Sequence, residues 1–69
     1  MIITLKNKNG LIEDYDTNDI ISIKHDVAGN LYGYSVLEGY GVKPDDPVLV
    51  ISFKDLTQIT FNSDWKIVF

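Results

Sequence analysis

The sequence predicts an all-β fold: a small antiparallel barrel or a strongly bent sheet of about six or seven short strands. Three observations carry this. Apolar and polar residues alternate over short runs that are punctuated by Asn, Asp and Gly, the period-two pattern of half-buried strands. No apolar repeat of helical period persists beyond a turn or two. The stretch Val48-Leu49-Val50-Ile51-Ser52-Phe53 is apolar at both parities, which marks a strand covered on both faces or central in a closed barrel.

The elements follow in order. Ile3 and Leu5 alternate with Thr4 and Lys6, giving a first strand over Ile2–Asn7. Asn9-Gly10 then predicts a type I′ hairpin, whose central positions need positive φ, and Leu11–Tyr15 returns. Asp14–Asp19 is a polar acidic loop with room for one helical turn, since its Asx residues favour turns and caps. Ile20–His25 resumes β character, Ala28-Gly29-Asn30 turns, and Leu31–Leu37 returns as a strand with Tyr32, Tyr34 and Val36 on one face. Glu38–Pro47 holds two glycines and both prolines and is therefore a loop. After Val48–Phe53, Leu56 breaks the parity set by Ile59 and Phe61, so Phe53–Leu56 is a tight turn. Asn62-Ser63-Asp64 makes the last turn, and Trp65–Phe69 the last strand, with Trp65, Ile67 and Phe69 on one face.

The apolar strand, the break at Asp55-Leu56 and the return through Ile59-Thr60-Phe61 look similar to the last strands of SH3-like and Sm-like small barrels. The resemblance covers about a third of the chain and is one of pattern. It implies a barrel-like fold and no particular function.

Sixty-nine residues are enough for one domain, 1–69, with one core. The chain has no cysteine, so neither disulfides nor thiolate zinc sites contribute. Ten carboxylates face six lysines and no arginine, for a formal charge of −4. That balance argues against nucleic acid as a direct partner, because such affinity comes largely from cations set against phosphates. It suits a partner protein with a basic surface, and it equally serves to keep a small protein in solution. The first residues are too soon interrupted by Lys6 for a signal-peptide core, and no run approaches a membrane-spanning length. A cytoplasmic location is expected.

No constellation for catalysis stands out. Asp14-x-Asp16-x-Asn18 matches the first ligand positions of a calcium loop, but the sixth position is Asp19 in place of glycine and the twelfth is His25 in place of glutamate. The adjacent acids Glu13-Asp14 point to opposite faces of a strand and cannot share a proton there. His25 is the single histidine, and no nucleophile-elbow pattern accompanies any serine. Gly39-Tyr40-Gly41 lacks the third glycine and the helix of a phosphate-binding turn. No catalytic residue, cofactor or metal is therefore assigned.

The tyrosines are the better candidates. Tyr32, Tyr34 and Tyr40, interleaved with glycines, fit either an exposed contact patch or one packed strand face, and tyrosine is favoured at interfaces. The expectation is a non-enzymatic protein-interaction module. Tyr32, Tyr34 and Tyr40 serve as anchors, and Asp14, Asp16, Asp19, Asp45 and Asp46 steer toward a basic surface. A small acidic inhibitor carried by a phage or other mobile element, occluding a nucleic-acid-binding protein, fits this profile. The alternatives are a structural or self-assembling subunit, joined as a homo-oligomer through strand edges such as Trp65–Phe69, and, further off, a nucleic-acid-binding small barrel.

Overall fold

The computed structural model describes residues 1–68, which form six strands and one short helix. Strands β1 (Ile2–Asn7) and β2 (Ile12–Asp16) form the first hairpin, with Leu5 opposite Glu13. Its turn differs from the expected type I′. Only Gly10 is left-handed, with φ 87°, and the three residues 8–10 lie inside the Asn7 N–H to Leu11 O bond of 3.0 Å, as in a hairpin closed by a bulge glycine. The Asn7 side chain explains the change: its Oδ1 accepts the N–H groups of Asn9 and Leu11, both at 2.9 Å.

The segment read as an acidic loop is strand for half its length. Asp14 and Asp16 belong to β2, and only Thr17–Asp19 forms a 3₁₀ turn. Asp16 caps that turn by accepting the Asn18 N–H at 2.9 Å. Strand β3 (Ile20–Val27) follows, then β4 (Pro47–Phe53), β5 (Gln58–Asn62) and β6 (Trp65–Val68). Phe69 lies outside the described residues, and with it the expectation that it shares a face with Trp65 and Ile67.

Pairing produces two antiparallel sheets of three strands, in the orders β2-β1-β6 and β3-β4-β5. The all-β class is as expected, but the barrel does not close. Only Ser63 and Asp64 separate β5 from β6, yet β6 leaves the sheet of β5 and pairs with β1, setting Ile67 opposite Leu5. The Asn62 side chain accepts the Asp64 N–H at 3.0 Å, an Asx turn that redirects the chain. Among the described residues, the edge strands of each sheet have a partner strand on one side only.

The sheets face each other across Ile3, Leu5, Leu49, Ile51 and Phe61. A row of aromatic rings lines this core, with centroid separations of 5.5 Å for Tyr15–Phe53, 6.2 Å for Tyr15–Phe61 and 5.0 Å for Phe61–Trp65, all within the range of favourable ring pairs. The other face of β4 carries Val48 and Val50, which pack with buried Ala28 under Leu31, Tyr34 and Val42. The strand is covered on both sides, as its uninterrupted apolar character requires.

What covers it corrects the second expected hairpin. Leu31–Leu37 is not a strand. After a 3₁₀ turn at Ala28–Asn30, Gly33 takes φ 82° and helix α1 runs over Tyr34–Glu38. Residues 28–46 thus form a cap over the outer face of β4. Burying Val48 and Val50 needs apolar groups above the sheet, and a strand paired at the edge of β3 would have left both exposed. Gly29 ties the cap down: its N–H donates to Pro44 O at 2.8 Å. A Cβ at Gly29 would lie 2.9 Å from that oxygen, so only glycine permits the approach. No helix among the described residues is long and apolar enough to cross a membrane.

Candidate protein-binding site

The cap separates the three candidate tyrosines. In the predicted strand Tyr32, Tyr34 and Val36 shared a face; in the helical cap Leu31, Tyr34 and Leu37 turn inward at a spacing of three, while Tyr32, Val36 and Tyr40 turn outward at a spacing of four. Tyr34 packs on Val48 and Val50, and its hydroxyl donates to Val42 O at 2.7 Å. Its ring is part of the scaffold. Burial, with the nearby carboxylates Glu38, Asp46 and Asp45, raises the Tyr34 pKa above the usual phenol value. Tyr32 and Tyr40 are free, at 109% and 84% exposure, with Val36 at 65% between them in sequence.

Beside the cap runs a groove of about 530 Å³. Leu31, Tyr32, Val36 and Val42 form one wall, and Thr60 and Trp65 stand on the other. Its second wall comes from the start of β6 and from β5, an edge strand whose outer side has no partner strand among the described residues. The groove therefore offers apolar surface next to a row of available backbone groups.

The same segment carries acidic residues. Asp46 accepts the Lys43 N–H at 2.9 Å through Oδ2, and the Asp46 N–H bonds Lys43 O at 3.1 Å, fixing the loop that carries Asp45. With Glu38 these carboxylates lie close enough to Tyr34 to act on its ionisation. The cap thus presents Tyr32, Tyr40, Glu38, Asp45 and Asp46 from one continuous segment. Sequence reasoning missed Glu38, Val36 and the groove, because they belong together only when 34–38 is helical. The signal was present: Gly33 and Gly39 bracket a five-residue run with Tyr34 and Leu37 spaced by three.

Asp14, Asp16 and Asp19 are not part of this surface. They lie by a separate cleft of about 420 Å³, together with Asp55, Tyr15 and Phe53. The Phe53 end of β4 adjoins that cleft, and the Pro47 end adjoins Asp46; at about 3.3 Å per residue the two acidic groups are roughly 20 Å apart. Asp55 Oδ1 accepts from the Thr57 side chain and from its N–H, bonds that lower its pKa. Among the described residues, no group of three or more His, Asp or Glu side chains is placed to hold a metal ion. Comparison with known proteins finds no match, whether to a family model, a curated protein or a solved structure.

Proposed function

We propose that the chain is a non-enzymatic recognition module that binds a basic protein surface through its cap. The observation that carries this is the exposure of Tyr32 and Tyr40, 109% and 84%, on a segment that also holds Glu38, Asp45 and Asp46. Tyrosine is enriched among interface anchors because its ring buries large area at small entropic cost. The carboxylates supply the steering: in such interfaces rim charges set the association rate and its salt dependence more than the final affinity. The groove beside β5 would receive an apolar side chain of the partner. An inhibitor that occludes a nucleic-acid-binding protein, encoded by a mobile element, is the specific case that charge and size favour. In this reading the protein acts by occupying a surface, in a cytoplasmic setting, without cofactor or catalysis.

The test is affinity capture from cell extract run in parallel with the parent, Tyr32→Ala/Tyr40→Ala and Asp45→Asn/Asp46→Asn proteins. A partner retained by the parent should be lost with the tyrosine pair. The aspartate pair should slow its association and flatten the salt dependence. Capture unchanged by the tyrosine pair would overturn the assignment.

A further inference from the structure

The outer face of the β2-β1-β6 sheet poses a problem that the cap does not address. The inward residues Ile3, Leu5 and Ile67 pack in the core, so the opposite parity points to solvent. In the register of the three strands the outward residues form a grid. One row holds Asp16 beside Ile2; the next holds Asp14, Thr4 and Val68; the last holds Ile12, Lys6 and Lys66. Three of these positions are large apolar residues in water, Ile2 at 55%, Ile12 at 58% and Val68 at 41% exposure. Lys6 and Lys66 stand directly opposite each other, a like-charge pairing that weakens a sheet unless countercharge arrives. Among the described residues neither lysine has an ion-pair partner; the ion pairs present are Lys8–Asp64 and the Met1 amine–Asp16.

The grid is complementary to itself. A two-fold axis lying in the sheet plane along the diagonal through Ile12 and Thr4 exchanges its two halves. It sets Lys66 over Asp16 and Lys6 over Asp14 of a second copy, Ile2 over Val68, and Ile12 and Thr4 over their own counterparts. Every charge meets its opposite and every apolar residue meets an apolar one. The operation interchanges strand direction with sheet direction, so the strands of the two copies cross at about 90°, a known mode of sheet packing. We propose that this face is an isologous homodimer interface, with a second copy of the chain as its occupant. This inference stands apart from the cap reading. The cap lies over the other sheet, so a dimer would carry two caps on its outer sides and bind a repeated or symmetric partner bivalently.

The face is small, about 15 by 20 Å from strand spacing and rise, below the area of a standard stable interface. The association is accordingly weak, evident at high protein concentration and reduced by salt, which screens the four ion pairs.

Sedimentation equilibrium across a concentration series tests this with the full chain. The parent should rise from its monomer mass of 7.8 kDa toward twice that value, less so in high salt. Lys66→Glu and Asp16→Lys should each remain monomeric, since each faces two like-charge contacts across the two-fold. Mixing the two variants should restore association, because the glutamate introduced at 66 then faces the lysine introduced at 16, and the native Lys66 faces the native Asp16. Circular dichroism should show both variants folded, since Lys66 is exposed and Asp16→Lys removes only the cap of a three-residue 3₁₀ turn and the contact with the Met1 amine. A parent that stays monomeric at the highest concentration, a Lys66→Glu protein that still associates, or a mixture that fails to recover would each overturn the proposal. None of these outcomes bears on capture by the cap tyrosines, so the two readings fail independently.

Discussion

Leu56 occupies a position that its side chain does not suit. It is 89% exposed and takes φ 71°, the one non-glycine residue in the left-handed region among those described. Its N–H bonds Phe53 O at 3.0 Å and closes the turn between β4 and β5. A leucine there costs about 1–2 kcal/mol relative to a right-handed conformation and recovers nothing from packing. Leu56→Gly should therefore stabilise the protein by about 1 kcal/mol after the extra chain entropy of glycine is counted, read as a higher midpoint in urea with an unchanged slope. The parity break at Leu56 was legible in the sequence, and so was a turn. That the residue would be left-handed was not, because a leucine gives no such signal.

At the scale of elements, β4 decides the architecture. Leu49 and Ile51 face the opposite sheet, and Val48 and Val50 face the cap. Ile51 is fully buried at 0% exposure. Ile51→Ala should cost about 2–5 kcal/mol, a large share of the stability of so short a chain; a chemical denaturation curve coincident with the parent would contradict its central place. The strands of the first hairpin and the β class were readable from alternation and Asn-Gly, but the division into two sheets was not. Nor was the cap. Tyr32, Tyr34 and Val36 suit a strand by residue preference, and the demand of Val48 and Val50 for cover overrode that preference, a tertiary effect outside local propensity. The candidate site followed the same course: an exposed Tyr32 and Tyr40 was one of two readings open to the sequence, whereas the inward turn of Tyr34 depended on a helix that alternation did not reveal.

The whole molecule should lose stability in acid, and the sign follows from particular carboxylates. Asp26 accepts from the Asn30 side chain and the Val27 N–H, both at 2.8 Å, and these bonds lower its pKa, as those from Thr57 lower that of Asp55. A carboxyl with a folded pKa below its unfolded value contributes stability that is complete above about pH 4 and fades as pH falls through the folded value. Thermal melting should therefore be level from about pH 5 to 7 and decline below about pH 4. Asp26→Asn/Asp55→Asn should show a shallower acid decline, because the amides keep an acceptor but do not titrate. On the alkaline side the sign reverses. Burial first, then nearby carboxylates, raises the pKa of Tyr34, and burial with Glu13 raises that of Tyr15, so their contribution is present below about pH 10 and lost above it.

By itself the sequence determined the β class, the first hairpin, the central place of Val48–Phe53 and the acidic, arginine-free character of the surface. Each of these rests on local pattern or on composition, which tertiary contacts do not alter. Only the tertiary structure decided that β6 leaves β5 for β1, that residues 28–46 fold as a cap, and that the acidic groups fall at two ends of the molecule. It also decided that Lys6 and Lys66 share a row on the face that carries Asp14 and Asp16. The physical reason is common to all four: each depends on which distant segment satisfies a face or an edge, and that choice is made by burial and register between residues far apart in the chain.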